Sequence, residues 1–588
     1  MATILILVII GVMGTGCTQT TDTNNPTAKP TKAPDATTPS TDSEPAKITV
    51  GSTSNAQTEP CLWYETDMWQ EIQKLANVEI TDFTYYDTDR FNILLAGGDM
   101  PDLMFSAIAE KLPDIINAGY ALDLKPYFEE YDNLNNDNFK QRNEIISNFY
   151  GGKDNALYFT APSMGLELRD AGTNNLRGYS VRWDWYKEIG GPEFKDKYEY
   201  INVLEKMVAK HPETENGQKV YATGLAGSSF TEWYVNGAFS KPAMSNMWTF
   251  GGYLYMESFD DGELINGYTN LERSAYWSDM EFYNILYNKG LLDPDSFTMT
   301  TDQRTEKIVN GQYAAAMGWA HGNLYDTNLE KDPNTLAGFI QVPNEASLVF
   351  ADYHQVTGFF PSNYHFIAAK ADEDAKHGVL SLLNVLHDTE VARMMQSGVE
   401  GVHWDYESGV PKPKSETIEL RNLGGDNWYK TGIGLEFSFG MFQSSFLAGD
   451  GNPISLFDTD EIRASALNPL QKDVAEYYSV DYPAQAHMKL VNEGKTVSMA
   501  NCYSELNQSA TEVMPTDIQR ILTQCNDILF EAVPNLVQAK TEEEFNTIRD
   551  NILSELEATG EKTAWDWCLE ANTEAQSFTR PIIETLDW

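Results

Sequence analysis

From Ile48 onward, short apolar runs of strand character alternate with amphipathic helical stretches, and this alternation constrains the fold more than any other feature. The run ITVGSTS reads as a buried strand ending in small residues. A helix follows with Met68, Ile72 and Leu75 on one face, and then a strand over 78–85. A helix over 90–96 leads through Gly97-Gly98-Asp99 to a short strand at Pro101-Asp102-Leu103-Met104-Phe105. Strands separated by helices build a mostly parallel sheet, so the expected class is α/β. Ligands of such sheets bind beyond the carboxyl ends of the strands. At 588 residues the chain exceeds one ordinary core. No repeat at solenoid spacing divides it. Helical patterns over 517–532 and 541–558 predict a helical C-terminal extension.

Charge and motif content exclude several functions. The net charge is −46, from 41 basic against 87 acidic side chains, which opposes binding to nucleic-acid phosphates or anionic lipid surfaces. There is no GxSxG, HExxH or GxxxxGKS, and the eight histidines form no HxH or Hx3H pair, so neither an enzyme nor a cofactor is expected. The five cysteines, at 17, 61, 502, 525 and 568, have no metal-ligand spacing. Cys61, Cys502, Cys525 and Cys568 specify no disulfide framework, and Cys502 and Cys525 are expected to pack as small apolar residues. Thirteen Trp and thirty Tyr exceed what a core alone requires and suggest a flat-faced ligand surface.

Residues 2–13, ATILILVIIGVM, have the length of a signal-peptide apolar region and are too short to span a bilayer. Gly14-Thr15-Gly16-Cys17 follows and resembles a bacterial lipobox, in which the cysteine is lipidated and becomes the mature N-terminus. With no Lys or Arg before the apolar run, a start upstream of Met1 stays open. Residues 18–46 are almost entirely Thr, Pro, Ser, Asp, Asn, Ala and Lys, with nothing to bury, and are expected to be a disordered tether. A tether of this kind holds a folded body on the order of 30–50 Å from its anchor.

The run RFNILLAGGDMPDLMFS, Arg90 to Ser106, resembles the family-1 extracellular solute-binding proteins of bacterial ABC importers. In order after it come Asn155–Tyr158 through Ala161-Pro162, Val181-Arg182-Trp183-Asp184-Trp185, Gly290–Pro294, Gly311–Met317 and Gly398–Trp404, each similar to a segment of that family. The resemblance implies a two-lobed α/β clamp of the periplasmic-binding-protein type, with residues 1–17 as signal and lipobox and 18–46 as tether. The first lobe would be 47–160 plus 355–412, and the second 161–354 plus 413–588 with its helical tail. It further implies a monomeric receptor, anchored to the outer face of the cell membrane, that captures an oligosaccharide and delivers it to ABC permease subunits. Large members carry a calcium loop where this chain has His211–Tyr221, but His211 and Val220-Tyr221 replace the oxygen donors, so no metal is expected.

Sugars present apolar C–H faces, which proteins meet with aromatic rings. Trp319, flanked by Gly318 and Gly322, and Tyr253, after Gly251-Gly252, fall where the resemblance places ligand-facing aromatics. Trp63, Trp233, Trp248 and Trp404 stand in loop-like surroundings and join them as candidates, with Ser106 just past the Pro-Asp strand. Arg182 and Asp184 are candidates too, with a structural helix-start pair as the alternative. Two other classes stay open: a peptide or other small-solute receptor on the same scaffold, and a surface glycan-acting enzyme or adhesin.

If Cys17 carries the anchor, Cys17→Ser expressed in the native host should release protein into the medium. A variant that is cleaved yet stays as membrane-bound as its parent would refute the anchor.

Overall fold

The computed structural model describes residues 44–583 except 55–59, 108–110, 162–178, 235–244, 247–252, 259–262, 317–323, 347–363, 436–440, 443–445, 497–510 and 512–513. The chain divides into two compact units. The first takes Thr18–Leu168 with Gln355–Ile462, and the second takes Arg169–His354 with Arg463–Trp588.

In the first unit β1 (Ala46–Ser52) runs parallel to β2 (Val78–Tyr85) on one side and to β3 (Leu103–Ala107) on the other. The strand Tyr364–Ile367 adds antiparallel to β3, giving the order β2, β1, β3, 364–367. Ile48, Val50, Leu103 and Phe105 are wholly or nearly buried, as befits a sheet covered on both faces. The helix Asp67–Ala76 buries Met68, Trp69, Ile72 and Ala76. Leu75, expected on that face, is exposed, because the seam follows 68, 72 and 76 at four-residue spacing. The helix Glu373–Leu386 also lies against β1, and Gly378 permits the approach: a Cβ there would stand 2.7 Å from Cβ of Ala46.

The Gly-Asp-x-Pro-Asp turn has a specific task. The Asp102 carboxylate accepts hydrogen bonds from the Thr49 amide at 2.8 Å and the Thr49 hydroxyl at 2.7 Å. The β1–β2 register slips between Ile48 and Thr49, where the amide is turned toward Asp102. The helix before the turn, Thr88–Gly97, is started by Asp87, which accepts from the Arg90 amide at 2.9 Å.

Residues 413–462 were expected with the second lobe, but they pack in the first unit. Phe442, Phe446, Ala448 and Ile454 join the core built by Leu382, Leu383 and Met395. Arg393 grips Asp450 through two bonds of 2.7 Å, and Ser397 donates to the Ile454 carbonyl at 2.6 Å. Apolar contact and a bidentate ion pair thus both hold this segment where it lies.

The second unit pairs the strands Ser180–Arg182 and Phe339–Gln341 antiparallel, and a separate antiparallel sheet joins Ser245–Asn246, Tyr255–Ser258 and Leu264–Asn266. The C-terminal extension is helical as expected: Thr516–Gln538, Glu542–Thr559 and Glu561–Ile583. It is docked by polar as well as apolar contacts. Tyr276 donates to the Leu529 carbonyl at 2.7 Å, and the Asn284 amide group donates to the carbonyls of Leu536 and Ala539. The buried Glu561 carboxylate accepts from the Tyr255 hydroxyl at 2.7 Å and the Asn266 side chain at 2.9 Å. Cys525 and Cys568 are buried free thiols, pushed up to about 12 by burial, so both pack as apolar groups. No helix among the described residues is long and apolar enough to cross a membrane.

His487 is buried in the second unit with Nε2 3.1 Å from the Gln341 carbonyl. Burial pushes it down to about 4, the carbonyl opposing only in part. The unfolded chain therefore binds this proton first, and stability is lost as pH falls from about 6.5 toward 4, by about 1.4 kcal/mol per pH unit. His487→Gln keeps a donor for the carbonyl but takes no proton. Denaturant unfolding between pH 6.5 and 5 should therefore show a shallower slope for the variant, and equal slopes would refute the assignment.

Candidate functional site

Ser106 sits near the end of β3 at a φ of +50°, where the pairing with 364–367 slips between Met104 and Ala107. That irregularity turns its amide out of the strand ladder to donate to Nδ1 of His365 at 2.9 Å. The bond makes Nδ1 the acceptor and leaves the proton on Nε2. Burial, then the nearby Arg142 charge, pushes His365 down to about 3, so it is neutral. Ser106 itself is buried, and its carbonyl accepts from the Thr53 hydroxyl.

A second histidine lies close to the first. His387 Nδ1 is 2.6 Å from the Leu383 carbonyl, which requires the proton on Nδ1 and leaves Nε2 to accept from the Thr160 hydroxyl at 3.0 Å. Thr160 pairs with His365 through both backbone groups, at 2.9 and 2.7 Å. The Arg142 guanidinium completes the cluster, donating to the Thr160 hydroxyl at 2.9 Å, to the Asn143 side chain and to the Ala161 carbonyl. Arg142, His365 and His387 were not singled out from the sequence. Ser106 and His365 are 259 residues apart, and no local pattern joins them.

The remaining candidates fall into three groups. Trp63 is 2% exposed, set edge-on to Trp69 at 4.5 Å and to Phe83 at 5.5 Å. Trp233 is 1% exposed, stacked on Phe297 and edge-on to Tyr283. Trp404 is 4% exposed and donates to the Gly398 carbonyl at 2.7 Å. Protein atoms cover all three rings. Arg182 and Asp184 form a two-pronged ion pair at 2.9 Å, and the guanidinium lies 3.9 Å over the Trp185 ring. Its amide donates to the Ala314 carbonyl, so the pair joins the helix Trp183–Glu188 to the segment around Ala314. Tyr253 is half-buried, with its hydroxyl 3.3 Å from that of Thr523. Trp319, Trp248 and Cys17 lie outside the described residues.

The 211–221 segment closes on itself as a small hairpin. Thr214 donates to the Gln218 carbonyl at 2.8 Å and Val220 to the Pro212 carbonyl at 2.9 Å. His211 stacks on Trp185 at 4.5 Å and meets the Glu188 carboxylate at 2.9 Å. Among the described residues no cluster of His, Cys, Asp and Glu has the form of a metal site. Burial holds His365, His387 and His487 neutral, with the backbone carbonyls facing His387 and His487 opposing it in part. These groups build scaffold.

No protein-family model matches the chain. Lipoprotein LipO of Bacillus subtilis (strain 168) is 24% identical over 345 residues, which is 56% of this chain and 61% of that protein. The match thus spans less than two thirds of LipO. Among solved structures, an HMO-binding solute-binding protein associated with an ABC transporter of Bifidobacterium longum infantis superposes with a TM-score of 0.59 at 13% identity, covering 91% of this chain and 99% of that one. An extracellular solute-binding protein of Bifidobacterium longum subsp. infantis gives 0.57 at 14%, covering 91% and 99%. An EF-hand mutant of FusA, an ABC-transporter substrate-binding protein of S. pneumoniae in complex with fructo-nystose, gives 0.54 at 15%, covering 90% and 99%. At these identities the likeness is one of fold, and the chain has the two-lobed fold of the extracellular solute-binding proteins of ABC transporters.

Proposed function

We propose that this protein is a lipid-anchored receptor on the outer face of the cell membrane that captures an oligosaccharide and delivers it to the permease subunits of an ABC importer. The observation that carries the reading is a shared fold over nine-tenths of the chain with solute-binding proteins whose ligands include glycans. The lipobox-like Gly14–Cys17, the tether-like 18–46 and the partial likeness to LipO support the anchor. The receptor acts as a monomer, needs no cofactor and performs no chemistry on its ligand.

Trp319, Trp248 and Tyr253 form the aromatic surface for the sugar in this reading. Trp63, Trp233 and Trp404 are packing residues, since a ring covered on both faces offers no stacking plane. Ser106 contributes through its strand end, and Arg182 and Asp184 keep a helix start in register.

A thermal-shift and calorimetric screen of glycans against peptides tests the class of ligand, because a ligand at 100 times its Kd stabilises by about 2.7 kcal/mol. With the glycan identified, Trp319→Ala should weaken binding by about 1–3 kcal/mol and leave the melting of the free protein nearly unchanged. Trp233→Ala should instead cost about 3–5 kcal/mol of stability. A Trp319→Ala variant that melts early yet binds normally would remove Trp319 from the ligand surface. Small-angle scattering should show a smaller radius of gyration at saturation, as for clamps that close on their ligand.

A further inference from the structure

We propose that Arg142 is a positioning residue that holds Thr160 and Ala161 in place, and so sets how freely residues 157–161 move during ligand capture. Only the last step of this proposal, capture, rests on the receptor reading.

Arg142 lies on the helix Lys140–Tyr150 and is fully buried. A guanidinium removed from water is costly unless it is paired with an anion, and among the described residues none of its hydrogen-bond partners is a carboxylate. Burial pushes it down to about 9, opposed by the nearby Tyr364. Its donors go to neutral groups: the Asn143 side chain, Nε2 of His387 at 3.4 Å, the Thr160 hydroxyl and the Ala161 carbonyl. Ala161 is the last described residue before 162–178, and Leu168 is the last residue of this part of the first unit. The charge thus sits at the last described residues before that stretch.

The surrounding bonds have one direction. Arg142 donates to Thr160, the Thr160 hydroxyl donates to His387 Nε2, and His387 Nδ1 donates to the Leu383 carbonyl. Thr160 is also pinned from its other side by the backbone of His365, whose ring accepts from the Ser106 amide. Thr160 and Ser106 are therefore held by one residue, His365. A shift of the strained Ser106 corner has a short covalent and hydrogen-bonded route to Ala161, and Arg142 is the group that restrains its far end. A packing role would not require a charge there, because Phe139 already covers one face of the guanidinium at 4.3 Å and an apolar side chain would fill the same space.

The test uses the full chain. Arg142→Lys shortens the reach to Ala161 and loses the fork, and Thr160→Val removes the hydroxyl link at nearly constant shape. Amide exchange of the ligand-free protein, read by mass spectrometry, should rise tenfold or more for 157–161 in both variants while β1, β2 and β3 keep their protection. Scattering should show a broader spread of dimensions. If protection falls in parallel across the first unit, or 157–161 are unchanged, Arg142 is structural and the proposal is wrong. Should Arg142→Lys fail to fold, Thr160→Val decides by the same readouts. With a glycan from the screen, the variants should dissociate at least tenfold faster. A parent protein that binds no glycan would overturn the receptor reading, and the exchange and scattering results would still decide the role of Arg142.

Discussion

The pairing of the strand Tyr364–Ile367 with β3 governs this structure, because the first unit cannot complete its sheet until a segment some 260 residues downstream returns to it. Leu103 pairs with Ile367, and Met104 with Phe366. Between them the chain builds most of the second unit. A contact this distant in sequence is made late and at a cost in loop entropy, so the return must be secured by more than one ladder. It is secured by buried apolar side chains on both strands, by His365 beneath Ser106, and by the helix Glu373–Leu386 over β1.

The segments that resemble the solute-binding family turn out to carry this scaffold. Asp102 of the Pro-Asp turn pins β1. Asp293 of Gly290–Pro294 is buried, accepts from the Tyr313 hydroxyl at 2.8 Å and pairs with Lys307 at 2.7 Å, which ties two of the resembling segments to each other. Arg182 and Asp184 form an ion pair at the start of the helix Trp183–Glu188. A motif preserved for folding need not touch ligand. That is why such segments report the architecture well and the specificity poorly.

Legibility in the sequence follows the same division. The strand 78–85 could be read to the residue, since Val78 and Ile80 alternate with polar neighbours within a single run. The helix read over 90–96 runs from Thr88 to Gly97, and its Asp87 cap was not read from the sequence. The tryptophans could not be sorted this way. Trp233 is covered by Phe297 and Tyr283, each fifty or more residues away, and loop-like neighbours say nothing about such partners. The placement of 413–462 was equally hidden, because it depends on Arg393 meeting Asp450 and on Ile454 reaching the first core. Local pattern shows what an element is. It does not show what lies against it.

The charge of −46 takes on a more definite meaning beside these contacts. Several of the scarce basic side chains are committed to joining parts of the fold: Arg393 to Asp450, Arg304 to Glu232, and Lys187 to Asp473, which also accepts from the Trp183 indole at 2.7 Å. Burial raises the Glu232 carboxyl, and Arg304 opposes that rise. In Asp450 burial acts the same way, yet the bonds from Arg393 overcome it and hold the carboxyl below its usual range. The acidic excess favours self-repulsion between copies of the chain. Arg142 departs from this pattern, since its partners are neutral. In a molecule so negative overall, a buried cation with no anionic partner among the described residues is partly stabilised by the long-range field, which low-dielectric surroundings screen less than water does. The same acidity that opposes nucleic-acid phosphates therefore eases the burial of the guanidinium beside Thr160 and Ala161.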